Sequence, residues 1–198
     1  MVKKTDRYKS DTNQYPRDPL LPKNLWFTSD PYWRTGYDHG HICPSADRLN
    51  SAEANYQTFF LTNMQPQVHG FNAGVWQNME TKVRDIASRY NYTFCDTLYI
   101  CKGGTIDKPE HVLETTGKGL LVPKYFFMAV LRVKNGVYNA MGFWIEHKAS
   151  SDKKLAKYAV SIKELEAKTG IDFFCNLPDN IEYAVENAAV NNTFWGLD

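Results

Sequence analysis

The sequence predicts an α+β fold built around an antiparallel sheet. Helix-like and strand-like stretches follow one another in mixed order rather than strict alternation, which argues against a parallel βαβ architecture. Two long strand-like runs are joined by Asn135-Gly136, the strongest short-range signal for a hairpin. The chain has 198 residues, a length natural for a single domain spanning 1–198.

Residues 1–35 are polar, and Pro16, Pro19, Pro22 and Pro31 make them an extended, meandering lead-in. Two glycines and a proline surround two histidines over residues 36–44, which reads as a shaped loop joined to a strand. Residues 51–58 form a short helix. Thr58-Phe59-Phe60-Leu61-Thr62-Asn63 reads as a buried strand, closed by a turn at Pro66. The clearest helix runs from about Ala73 to Tyr90, because Trp76, Met79, Val83 and Ile86 repeat at three-then-four spacing and make one apolar face. Strands are expected near 96–102, 122–133 and 137–146. Helices are expected at 161–168, stopped by Gly170, and at 179–188. No internal repeat or linker interrupts the chain.

Composition narrows the function classes. Hydrophobic residues make up 43% and charged residues 23%, as in ordinary globular proteins. The formal net charge is +1, so any surface that binds phosphate must be local. No apolar run reaches the roughly 20 residues a membrane span needs, and membrane insertion is not expected. The first residues, Met-Val-Lys-Lys-Thr-Asp, are polar and do not read as a secretory leader, as would also hold for a chain whose leader had been removed. Cys43, Cys95, Cys101 and Cys175 form no zinc-like cluster. On one extended strand Cys95 and Cys101 would stand near 20 Å apart, too far for a bridge unless the chain turns.

Three segments carry side chains suited to phosphate chemistry. In Asp38-His39-Gly40-His41, the glycine lets the backbone before His41 take unusual angles or approach a ligand. A neutral imidazole there can take a proton from water. Asn63 follows on the next segment. Positions 72, 76, 80 and 84 then form one helical row, so Asn72, Glu80 and Arg84 can face a common cleft while Trp76 serves the core. An amide oxygen, a carboxylate and a guanidinium along one edge suit a hard cation and a phosphate. Taken alone, such a helix edge is more often a solvated face. His69, His111 and His147 have no motif company and read as surface or structural.

Together these segments resemble the DNA/RNA non-specific endonucleases, a ββα-metal group that includes secreted sugar-non-specific nucleases and mitochondrial endonuclease G. Tyr37-Asp38-His39-Gly40-His41 is similar to the family's Asp-Arg-Gly-His signature. Thr62-Asn63-Met64-Gln65-Pro66-Gln67 resembles its second block, and Asn72-Ala73-Gly74-Val75-Trp76 its third, with Glu80 eight positions after Asn72. The resemblance implies a ββα-metal nuclease fold with a central antiparallel sheet flanked by helices. It implies His41 as general base and Asn72 as the side chain that ligates magnesium, with manganese as a substitute. Glu80 would act on the metal through water, Asn63 would position, Arg84 would face the phosphate, and Asp38 would fix the loop. Arg7 would contact phosphate near the N-terminus, with Arg17 and Arg34 as competitors. His39 stands where most of the family has arginine; as a phosphate contact it would work only when protonated, favouring lower pH. The implied partners are DNA and RNA, with a homodimer and a protein inhibitor also compatible. Because such nucleases are hazardous inside cells, a secreted or periplasmic location with the leader removed is expected. The competing readings are a non-catalytic binding module on the same scaffold and a phosphodiesterase for a small substrate.

Overall fold

The computed structural model describes residues 15–198. Arg7 lies outside the described residues. In chain order the elements are β1 (Asp38–His41), α1 (Ala52–Gln57), β2 (Met64–Gln67), α2 (Gln77–Tyr92), β3 (Thr97–Gly104), β4 (Val112–Thr115), β5 (Leu121–Pro123), β6 (Tyr125–Lys134), β7 (Val137–Glu146), β8 (Ala159–Val160), α3 (Ile162–Thr169), α4 (Asp179–Glu186) and α5 (Asn192–Trp195). Every strand pairing is antiparallel. A four-stranded sheet has the order β3-β6-β7-β8, and β1 with β2 and β4 with β5 form two-stranded sheets. The α+β expectation holds.

The central sheet is covered on both faces. Side chains alternate across a strand, so Phe126, Met128 and Val130 of β6 point one way and Phe127, Ala129 and Leu131 the other. The first set packs with Met79, Val83 and Ile86 of α2, and with Phe71 and Trp76 just before it. The second packs against Ile162 and Leu165 of α3 and Val185 of α4. The expected apolar stripe of α2 therefore faces the sheet.

Several elements differ from the sequence expectation. Residues 58–63 are not a strand: Leu61–Asn63 is a 3-10 turn, and the strand begins at Met64. The Asn63 side chain explains the shift, since it folds back onto Thr58 and Cys43 backbone groups and competes with ladder formation. Pro66 does not make a turn but sits within β2 opposite His39. The long helix starts in a wide π-type turn, Phe71–Trp76, and its dihedrals leave the helical region at Arg89, Tyr90 and Asn91. Gly74 has φ −109° and ψ −117°, and the next amide, of Val75, donates to the Ser150 carbonyl at 2.7 Å. A β-carbon on Gly74 would lie 2.1 Å from that carbonyl oxygen, so only glycine fits this crossing of two chain segments. The β4–β5 hairpin, β8 and α5 carry no strong local signal. By contrast, the 134–137 hairpin and the Gly170 stop after α3 form as expected. All four cysteines are free. Among the described residues, no helix is long and apolar enough to cross a membrane.

Candidate active site

β1 and β2 pair in register from Asp38↔Gln67 to His41↔Met64, and this small ribbon presents the first two motif blocks side by side. Gly40 is needed for packing, not for an unusual backbone angle. It is an ordinary strand residue, and a β-carbon there would lie 2.2 Å from the Gln67 side chain, which fills the space. His41 closes the strand. Its ring meets Phe59 edge-on, with centroids 5.2 Å apart. Its Nε2 is buried and has no hydrogen-bond partner among the described residues. Burial first, then the Lys102 ammonium, lower its pKa to about 4; a hydrogen bond to the His39 backbone acts in the opposite sense. The imidazole is therefore neutral near pH 7, with an uncommitted nitrogen.

Asn63 pins the chain directly after His41. Its Oδ1 accepts from the Cys43 amide at 2.9 Å, and its Nδ2 donates to the carbonyls of Cys43 (2.9 Å) and Thr58 (2.7 Å). Its own carbonyl accepts from the Ile42 amide. With the amide group fully engaged, Asn63 has the geometry of a positioning residue and none of a ligand.

Asp38 joins the ribbon to the helix entry. Its Oδ2 accepts from Asn72 Nδ2 at 3.0 Å and lies 2.9 Å from His69 Nδ1. Asn72 stands in the π-type turn, and the bond to Asp38 commits its NH2. Its amide oxygen has no hydrogen-bond partner among the described residues. That is the donor a hard cation would take: a single fixed neutral oxygen, with the remaining positions left to water and substrate oxygens. These residues fit a hard cation that Asn72 could hold, its amide turned by the hydrogen bond to Asp38.

Glu80 and Arg84 follow on α2. The Glu80 carboxylate is nearly buried and lies 2.6 Å from Lys102 Nζ. Burial pushes its pKa up, and Lys102 pulls it back down. Arg84 Nη1 donates to Asp47 Oδ1 at 3.0 Å and Nη2 to Thr81. Its side chain is a third exposed, so the guanidinium meets solvent beside Glu80.

His39 behaves differently from the expectation of a phosphate contact. Its ring stacks on Tyr15 at 3.6 Å and 2° and meets Tyr32 at 4.1 Å, while Nε2 lies 3.0 Å from Asp30 Oδ1. The side chain is 16% exposed. Where an arginine would offer a forked donor, this ring is clamped by two aromatics and an acid from the lead-in. It ties that lead-in to β1. Arg17, one competitor for the N-terminal phosphate role, donates to the Phe27 carbonyl and stacks on Trp26.

The structure also adds residues the sequence did not single out. His69 stands at the site, bonded to Asp38 while 81% exposed. Lys102 and Asp47 reach Glu80 and Arg84 from β3 and from the turn after β1. Their signal is long-range pairing, which no local motif records. His147 is structural, as expected: it accepts from the Val68 amide and bonds the Pro123 carbonyl.

Comparison with known proteins points the same way. The family described as DNA/RNA non-specific endonuclease matches residues 1–180. A nuclease from Nostoc sp. is 33% identical over 192 residues, covering 88% of this chain and 64% of its own. Nuclease C1 of Cunninghamella echinulata var. echinulata is 28% identical, covering 89% and 72%. Mitochondrial endonuclease G of Caenorhabditis elegans is 27% identical, covering 89% and 59%. The chain therefore spans roughly three fifths to seven tenths of these relatives' length. In fold it is similar to a chain in the crystal structure of the EndoG/EndoGI complex, with a TM-score of 0.76 and 21% identity over 90% of this chain and 76% of that one. That likeness supports the ββα-metal fold with its central antiparallel sheet.

Proposed function

The chain belongs to the DNA/RNA non-specific endonuclease family, and from that premise we propose that it hydrolyses phosphodiester bonds of DNA and RNA with magnesium and little sequence preference. The observation that carries this reading is the buried His41 Nε2, unpartnered among the described residues, on the same four-residue strand as Asp38, which bonds the Asn72 amide.

His41 Nε2 takes a proton from water as the water oxygen bonds to phosphorus and the bond to the departing sugar oxygen breaks. That oxygen leaves with a proton from solvent. A low basicity in the free protein does not prevent this. An arriving phosphodiester anion favours the charged ring and raises its pKa toward neutrality. Asn63 keeps the loop behind His41 rigid. Asn72 and, through water, Glu80 would hold the ion, whose positive charge would stabilise the negative charge developing on the phosphate oxygens. Arg84 adds its own charge from the helix edge. Contacts restricted to the backbone of the polymer account for weak sequence preference. Manganese can serve the same oxygen donor. Among the relatives are mitochondrial nucleases, and the inhibited EndoG structure supports control by a protein inhibitor; secretion remains the alternative form of containment.

The test is cleavage of supercoiled plasmid and of total RNA, with and without magnesium. His41→Ala should lower the rate by roughly 10²–10⁴-fold, the usual worth of a general base. Asn72→Ala should raise the metal concentration needed. No cleavage by folded wild type with magnesium or manganese would instead favour a binding scaffold.

A further inference from the structure

The turn before β1 exposes a tryptophan. Trp33 is 64% exposed, whereas Trp26, Trp76, Trp144 and Trp195 are buried or half-buried. Its neighbour Arg34 is exposed as well, with its guanidinium 5.7 Å from the centre of the Trp33 ring. Among the described residues no carboxylate pairs with that guanidinium. Arg34 has φ +61°, a left-handed angle that a long side chain rarely adopts and that persists only where the surroundings impose it. Here they do. Asp30 Oδ1 accepts from the Tyr32 amide at 2.9 Å, and the Tyr32 carbonyl accepts from the Thr35 amide at 3.0 Å and the Thr35 hydroxyl at 2.7 Å. Lys118, between β4 and β5, donates to the Asp30 carbonyl at 2.9 Å. A tryptophan and an arginine, the side chains that most often anchor an interface, are thus held out in water on a braced turn.

We propose that Trp33 and Arg34 form a single-strand contact: the indole stacks on an unpaired base of the substrate and the guanidinium meets the adjoining backbone, so that unpaired strands are bound in preference to duplex. The inference deepens the nuclease reading and rests on it for the identity of the polymer. The turn is joined to the proposed site. Tyr32, 4% exposed, packs on the His39 ring with centroids 4.1 Å apart. His39 and His41 leave β1 on the same side, as alternate residues of a strand do. The rings of His39, Tyr15, Phe59 and His41 then follow one another at 3.6, 6.3 and 5.2 Å. One row of rings therefore connects the turn to the proposed base. The chemistry of the pair selects the strand. A base can stack on an indole only when it is free of its duplex neighbours, and such stacking tolerates any base. A guanidinium suits phosphate oxygens. Asp30, the acid of the same turn, is committed to the Tyr32 amide and lies 3.0 Å from His39 Nε2. With a net charge of +1 the chain has no broad electrostatic hold on a polymer, which leaves affinity to local devices of this kind. No motif block of the family resemblance includes the turn.

The test measures binding in metal-free protein, which needs no cleavage, by the anisotropy of a short labelled oligonucleotide offered single-stranded or annealed to its complement. Wild type should bind the single strand more tightly. Trp33→Ala should weaken single-strand binding roughly 5–150-fold, the worth of one stacked base, and should lower the ratio of single-strand to duplex affinity. Trp33→Phe, which keeps an aromatic face, should recover much of that loss. Arg34→Gln should weaken both forms and flatten the dependence of affinity on salt. With magnesium present, Trp33→Ala should raise KM for single-stranded substrate more than it lowers kcat. No binding of the single strand by wild type, or an affinity ratio that Trp33→Ala leaves unchanged, would overturn the proposal. So would a loss that Trp33→Phe does not relieve. Trp33 is exposed, so its replacement spares the core, and a thermal melt of each variant checks that it is folded. A Trp33-dependent preference in a protein that cleaves nothing would support the contact and count against the nuclease reading. Metal-dependent cleavage with no role for Trp33 would do the reverse.

Discussion

Two nearly buried carboxylates sit on opposite faces of the same sheet, and their surroundings differ in kind. Glu80 projects from α2, whose apolar residues join the first core cluster; its side chain is 12% exposed and its partner Lys102 8%. Glu186 closes α4, next to Val185 of the second cluster, and its side chain is 10% exposed. Its only cation among the described residues, Lys163, is 62% exposed, stands 3.8 Å away and is shared with Glu166. Burial pushes both pKa values up. At Glu80 the next influence is a dedicated ammonium that opposes the shift, whereas at Glu186 it is another acid, Glu166, that adds to it. Burial alone thus does not distinguish the two acids. What distinguishes them is the buried counter-charge at Glu80, which favours the carboxylate against that burial. Glu166, Asp172 and Glu186 approach one another closely enough to suggest a cation, but they lack such provision.

The largest effect expected from this contrast is at Glu80. Glu80→Gln should lower magnesium-dependent cleavage about 10–100-fold, the usual worth of a residue that acts on a metal through an intermediate group. The decrease should come with a higher magnesium requirement, checked by titrating the ion in the plasmid assay. An unchanged requirement would place Glu80 outside the ion's surroundings and dissolve the distinction between the two acids.

The glycines of the two faces sharpen the comparison on stability. Gly74→Ala drives a β-carbon into the Ser150 carbonyl, 2.1 Å away, at the turn that carries Asn72. Backbone meets backbone there, so relaxation must displace the helix entry. A cost of about 1–3 kcal/mol or more is expected, as for overpacking generally, together with a large loss of cleavage. Gly170→Ala meets no atom within 4 Å and costs only the left-handed conformation at φ +70°, about 1 kcal/mol. It should lower the melting temperature and leave the specific activity of the folded protein intact. Equal loss of activity in both variants would mean that the α3 face positions the site as much as the α2 face does.

How much of this was legible in the sequence depends on the reach of each interaction. The α2 stripe, the Asn135-Gly136 hairpin and the Gly170 stop are local, and their residues announce them. So do the motif blocks that put Asp38, His41, Asn63, Asn72 and Glu80 on the candidate list. What stayed hidden is long-range. Lys102 looks like any strand lysine until β3 pairs with β6 and turns it under α2. His69 has no motif company until the β1–β2 register brings Asp38 within reach. His39 reads as a weak arginine until Tyr15, Tyr32 and Asp30 close around it. The strand assigned to 58–63 failed because aromatic and β-favouring composition was weighed above one asparagine whose amide bonds three backbone groups.

The smallest expected effect lies at Glu186, and it has the opposite sign. The folded-state pKa of this acid is raised above its unfolded value by burial and by Glu166. An ionised Glu186 therefore opposes folding. The penalty is absent at pH values below the ordinary carboxyl range, near 4, and it grows as pH rises through that range toward the folded value. Glu186→Gln removes the ionisation while keeping the shape. The variant should melt a few degrees above wild type at pH 7 and at the same temperature near pH 3, with cleavage unchanged at neutral pH. Thermal melts at the two pH values, beside one plasmid assay, decide it. A variant less stable at pH 7 would show that Lys163 offsets the burial of Glu186 as fully as Lys102 offsets that of Glu80, and the two faces would then differ in their ligands but not in their electrostatics.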